Sequence, residues 1–286
     1  MDEFGIIKTG KSIVSIESVY ILKDIFSFLT EKQKLNLIIY NKQLQKKFDI
    51  NIEDYKRING KYRKGKKNGK GKEYDISTNN ILFEGEYING RRNGKGKEYD
   101  RYGDIKFEGE YLNGKRNRKG KEYYYGGKLK FEGEYINGER NGKGKEYYYN
   151  GKLKYEGEYL NGKKWNGKGY NKEGIIDFEI KNGNGKGKEY SYNGILKFEG
   201  EYLNGERNGK GKEYYSNGKL EFEGEYLNGK RWNGLGYNIK SIIDFEIKEG
   251  NGKVKEYYYN CELKYEGEYI KGERNGKGKE LIMMAH

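Results

Sequence analysis

The stretch from Phe131 to Lys154, FEGEYINGERNGKGKEYYYNGKLK, returns along most of this 286-residue chain. A tandem repeat limits the fold more than any other feature, because each unit packs on its neighbours and not around one shared core. Close relatives begin at Phe83, Phe107, Tyr155, Phe198, Phe222 and Tyr265, shortened ones at Phe178 and Phe245, and a diverged first copy at Ile58. That makes ten units, the full-length ones 24 residues apart, as from Phe107 to Phe131.

Within the unit the residues alternate as in a strand. Phe131, Gly133 and Tyr135 share one face and Glu132 and Glu134 the other. Asn137-Gly138 then supplies a turn, Gly142 to Tyr149 a second strand, and Asn150-Gly151 a second turn. Each unit is therefore one β-hairpin. Consecutive hairpins pair into a mainly β, elongated single-layer antiparallel meander, on the order of 90–100 Å long at about 4.8 Å per strand. Gly142 and Gly144 are expected to make room for aromatic rings of neighbouring strands. A compact core needs more Leu, Ile and Val than a chain that is 33% hydrophobic, with 31 Tyr and 45 Gly, contains.

The runs Tyr-Glu-Gly-Glu-Tyr-Leu-Asn-Gly-Lys at 155–163 and Arg-Asn-Gly-Lys-Gly after Glu139 resemble the MORN repeat family, whose pattern is Tyr-x-Gly-x-aromatic, Asn/Asp-Gly-Lys, then Gly-x-Gly. The resemblance covers roughly Ile58 to Glu280, with a period here one residue longer than the family's usual one. It differs at Glu98, Glu122, Glu146 and Glu213, which stand where the family is often apolar, so a wetter inner face is expected. What the resemblance implies is a non-catalytic scaffold that gathers proteins or places them at a membrane. The expected protein-binding groove is the aromatic face, with Phe131, Tyr135, Phe198, Tyr202, Phe222 and Tyr226 as contact residues. Resembling arrays also pair into homodimers.

Residues 1–57 differ in kind. They lack glycine after Gly10, and Tyr20 to Leu29 carry apolar residues at helical spacing, so a short α-helical N-terminal segment precedes the array of residues 58–286. Ile21 to Leu29, with Leu35-Asn36-Leu37 after it, is similar to the F-box, whose helices bind the Skp-type adaptor of cullin ubiquitin ligases. That resemblance makes Leu22, Ile25, Phe26 and Leu29 the adaptor-binding candidates and the array a substrate reader. The other reading of the segment is a cap over the open sheet edge.

The net charge of +14 is unevenly spread. Residues 57–73 hold Arg57, Lys61, Arg63, Lys64, Lys66, Lys67, Lys70 and Lys72 against one Glu, whereas the chain from Tyr74 onward has 41 basic and 35 acidic residues. If these eight cations share a side, they form an anion-binding patch suited to an acidic membrane surface. The competing reading is a solubilising edge. Ile58-Asn59-Gly60-Lys61-Tyr62 is taken to stand where Phe-Glu-Gly-Glu-Tyr stands later.

Residues 131–197 and 198–264 match almost throughout, an internal duplication of 67 residues. Each half has a Trp (Trp165, Trp232) followed by a unit four residues short, from which a shorter first turn, a bend and a packing role for the Trp are expected. Arg118 replaces the first Gly of a Gly-x-Gly pair, and a local repacking is expected there.

Chemistry is hard to find. Gly138 to Gly144 is no P-loop, having three residues between its glycines, no Ser/Thr after the Lys and no helix. One Cys (Cys261) and one His (His286) provide no triad, disulfide framework or zinc set. No enzyme, metal or cofactor is expected. Nucleic acid is disfavoured because glutamates alternate with the aromatics that would stack on bases. No apolar run approaches a membrane span and no secretory apolar core is read, so a cytoplasmic protein is expected, peripheral to a membrane or the cytoskeleton.

Overall fold

The computed structural model describes residues 60–258 and 262–281, together with Leu44 and Lys46. The expected N-terminal helices and the adaptor candidates Leu22, Ile25, Phe26 and Leu29 lie outside the described residues, and two isolated positions establish no helix.

Ten hairpins follow one another. The first five are β1 (Lys61–Gly65) with β2 (Gly69–Asp75), β3 (Ile81–Ile88) with β4 (Arg91–Tyr99), β5 (Ile105–Leu112) with β6 (Lys115–Tyr123), β7 (Leu129–Ile136) with β8 (Glu139–Tyr147), and β9 (Leu153–Leu160) with β10 (Lys163–Tyr170). Then come β11 (Ile176–Ile180) with β12 (Gly185–Tyr190), β13 (Leu196–Leu203) with β14 (Glu206–Tyr214), and β15 (Leu220–Leu227) with β16 (Lys230–Tyr237). The last are β17 (Ile243–Ile247) with β18 (Gly252–Tyr257), and β19 (Leu263–Ile270) with β20 (Glu273–Glu280). Every strand pair is a sequence neighbour, in sheets of eleven (β1–β11), six (β12–β17) and three strands (β18–β20). This is the antiparallel meander that the period implies.

The turns explain why the repeat holds its register. Asn137 (φ 53°) and Gly138 (φ 96°) both take positive φ, the two-residue turn whose twist matches a hairpin. Each such turn is tied to the preceding unit: Gly138 N donates to Arg116 O at 2.8 Å and Gly162 N to Arg140 O at 2.9 Å. Along the opposite edge Tyr148 Oη donates to Tyr170 O at 2.7 Å.

The core lies on one face. Gly133 pairs with Gly144, and Gly144 with Gly157, so a row of glycines crosses the sheet. A Cβ on Gly144 would lie 2.6 Å from Phe131 Cζ, which shows the ring resting on the bare backbone. Gly142 does something else: its φ of 91° carries a bulge, and the carboxylate of Glu134 sits over it. The expectation of two packing glycines per strand is therefore corrected to one. At the equivalent bulge Arg118 adopts φ 57°, and its exposed side chain reaches Glu110 at 3.5 Å. The pairing there is altered only to the extent that Glu110 faces Asn117.

Among the described residues no second layer covers the aromatic face, and charged residues seal it. The Arg140 guanidinium lies 3.9 Å over the Phe131 ring. Glu122 accepts from Arg140 Nη2 at 2.8 Å and from Tyr135 Oη at 2.7 Å. Burial pushes the Glu122 carboxyl up, but Arg140 and Tyr135 outweigh it and hold it below the usual carboxylate range. The same trio recurs as Glu73–Tyr87–Arg92, Glu98–Tyr111–Arg116 and Glu189–Tyr202–Arg207. The glutamates that depart from the family pattern are thus bonded within this belt and do not leave the face wet.

The two short hairpins keep an ordinary turn. Asn182 (φ 51°) and Gly183 (φ 73°) match the other turns, closed by the Lys181–Asn184 bridge, and it is the strands that end early. The expected shorter turn is corrected accordingly. Trp165 is skipped in the pairing of β10, so Gly169 replaces the belt glutamate opposite Tyr155 and the Phe178 ring fills the space. Ile180 meanwhile faces Gly167, where a glycine would continue the row. Trp165 packs on Gly183, and Lys163 reaches over the short hairpin to Glu206 at 2.7 Å. Trp232, Gly250 and the 2.6 Å Lys230–Glu273 pair repeat this at the second site.

Candidate protein-binding groove

Alternation sends Glu132 and Glu134 of β7, and Lys143 and Lys145 of β8, to the face opposite Phe131. Rows of Glu-Gly-Glu and Lys-Gly-Lys therefore succeed one another across the sheet. They pair as Lys72–Glu84 (3.2 Å), Lys97–Glu108 (3.0 Å), Lys121–Glu132 (3.7 Å) and Lys145–Glu156 (2.9 Å). Hydrogen bonds to these carboxylates raise the Lys97 and Lys145 ammonium groups above the ordinary lysine range. Between the paired stems the glycine row leaves only backbone.

The result is a groove of about 1470 Å³ running from Lys64 on β1 to Glu158 on β9, floored by glycine and walled by Lys and Glu stems. A second of about 750 Å³ runs from Asp177 on the first short hairpin to Glu225 on β15. Tyr74 and Tyr99 stand on the wall of the first. Two hairpins on from Tyr99, the Tyr147 hydroxyl donates to Glu132 at 2.6 Å and is pushed up by burial and that bond. Ile88, Leu112, Ile136 and Leu160, all well exposed, end the odd strands beside the Asn-Gly turns. Among the described residues no group of His, Cys, Asp and Glu is arranged to hold a metal ion.

The structure places the anticipated contact residues elsewhere. Phe131, Tyr135, Phe198, Phe222 and Tyr226 are at most 3% exposed, so these rings are core and offer a partner no surface, while Tyr202 is half-buried beside them. The open groove is on the opposite face. Its signal in the sequence is the in-register facing of Glu-Gly-Glu and Lys-Gly-Lys, a pattern that reads equally as a solvated face.

The basic cluster is also divided. Gly65 pairs with Gly71, so Arg63-Lys64-Gly65, and not Ile58-Asn59-Gly60, takes the place of Phe-Glu-Gly in the first hairpin. Lys61 turns to Glu73 at 3.6 Å, and Arg63 lies 4.7 Å over Tyr87 in the position of the missing Phe. Lys64, Lys70 and Lys72 line the groove, Lys66 and Lys67 sit exposed in the turn, and Arg57 is outside the described residues. The cations therefore do not share one side.

The MORN repeat model matches residues 59–77, 83–104, 107–128, 131–152, 198–219 and 265–281. No curated protein matches the chain. The hairpins outside the matched segments are those with Trp165 and Trp232 and the short hairpins that follow them, where the belt glutamate and the glycine row are interrupted. The chain carries six MORN repeats between residues 59 and 281 and belongs there to the MORN-repeat family.

Proposed function

We propose that the array is a non-enzymatic scaffold that holds a segment of a partner protein in the groove of β1–β9. The observation that carries this is the unbroken trough across nine strands, whose aliphatic Lys and Glu stems and bare glycine floor offer apolar contact with nearly balanced charge. The experiment compares proteins captured by the full chain with those captured by a Lys97→Glu, Lys121→Glu variant, which places like charges opposite Glu108 and Glu132. Partners of the groove are lost by at least tenfold, while the aromatic core is untouched. An unchanged partner set overturns the reading.

A second reading is favoured by the exposure of Lys64, Lys66, Lys67 and Lys70 around the first turn. Such residues are each attracted to an anionic membrane by about 1 kcal/mol. Vesicle binding that ignores salt, or survives replacement of Lys64, Lys66 and Lys67 by Glu, rules it out.

A further inference from the structure

We propose that the groove of β1–β9 takes a polyproline II segment, a proline-rich chain of low net charge lying across the strands; this rests on the groove being a protein-binding site. Spacing is the first argument. One hairpin advances two strands, about 9.6 Å, and the nine strands of the groove span about 38 Å. Three residues of polyproline II advance about 9.3 Å, so four turns cover about 37 Å. Four heptads of an α-helix cover about 42 Å. Twelve residues of β-strand cover about 41 Å. Over four hairpins the polyproline helix keeps step with the repeats, whereas the others drift by a third of a unit.

An added β-strand is disfavoured on chemistry as well: the floor's backbone groups are already bonded within the sheet, so they offer it no ladder.

The groove chemistry suits proline. Tyr74 and Tyr99 line it, and Tyr123 and Tyr147 hold the same register one and two hairpins further, against Leu129 and Leu153. One tyrosine per hairpin thus recurs in step with the turns of the ligand, and Tyr74 and Tyr99 meet it directly, as in aromatic-lined grooves that dock such helices. Polyproline II makes no internal hydrogen bonds, and its carbonyls can accept from Lys95, Lys119 and Lys143, which line the trough. Because the lysines and glutamates pair across strands, a strongly charged ligand gains nothing there.

The test is fluorescence anisotropy of the full chain with fluorescein-labelled oligoprolines of six, nine and twelve residues, a twelve-residue Gly-Ser peptide and an eighteen-residue amphipathic helix. Dodecaproline binds, each added triplet tightens binding at least threefold, and the Gly-Ser peptide is at least tenfold weaker. Replacing Tyr99 and Tyr123 by Ala weakens dodecaproline at least tenfold. The length series needs no variant, so it decides the matter even if that variant is unstable. Absent dodecaproline binding, affinity independent of length, or tighter binding of the helix overturns the proposal. The last result leaves the groove a protein site of another kind, and if no peptide binds, the capture experiment with Lys97→Glu, Lys121→Glu judges the groove separately.

Discussion

Replacing Gly144 by Ala adds one methyl group at the most crowded point of the repeat. The new Cβ would stand 2.6 and 2.7 Å from Phe131 Cζ and Cε2 and 3.2 Å from Tyr159 Cε2, so the ring must retreat by roughly 0.8 Å to reach ordinary contact. It has no free direction, because Arg140 lies 3.9 Å over its other face and is itself bonded to Glu122. Overpacking of this kind costs about 1–3 kcal/mol. The amide hydrogen exchange of β7, β8 and β9 reads the loss locally, which suits an array whose hairpins need not unfold together. Phe131→Leu alone loses core area and costs about 1–2 kcal/mol. In the double variant the leucine leaves room for the methyl, so the combined loss falls short of the sum by at least about 1 kcal/mol. Additive losses would refute the claim that the glycine exists to seat the ring.

Two further outcomes follow from the same geometry. Burial pushes the Glu146 carboxyl up, but Lys164, Lys154 and Arg140 outweigh it and bring it down to about 2, against an ordinary 4.5. A depressed carboxyl contributes stability above its unfolded value and loses it as pH falls, so about 3 kcal/mol disappears between about pH 4.5 and 2. Acid titration of Glu146→Gln followed by hydrogen exchange should show a flatter loss in that window, and an identical profile refutes the assignment. Arg118 occupies a left-handed conformation at a position that is Gly142 in the next unit, so Arg118→Gly relieves about 1–2 kcal/mol of strain, offset in part by added freedom of the unfolded chain. A small rise in Tm is expected, and a fall contradicts it.

Much of the fold was legible because the turn dipeptides and the period-two aromatics state the same hairpin ten times. What stayed hidden depended on partners a unit or more away. Arg140 covers Phe131 while bonding Glu122, a residue 18 positions earlier, and nothing in the text around Arg140 separates it from a solvated cation. For the same reason the aromatic face reads in the sequence as an open groove. The first hairpin misled in another way: an ungapped match set its register, whereas Arg63 over Tyr87 and Gly65 against Gly71 hold the actual one. In the short units the length deficit was plain, but its position, strand and not turn, is decided by the two-residue Asn182-Gly183 geometry, which every hairpin after the first shares.

The sheet boundaries at Lys181–Asn184 and Lys248–Asn251 give the array a mechanical character. Tension applied across the strands loads these single bridges in series with full ladders, and the weakest link yields first. Each bridge is spanned by a surface ion pair, Lys163–Glu206 or Lys230–Glu273, which salt can loosen. A tether built this way gives length at two fixed places, parting the Tyr148–Tyr190 ring contact at the first and the Tyr215–Tyr257 contact at the second, and blocks of eleven, six and three strands remain intact.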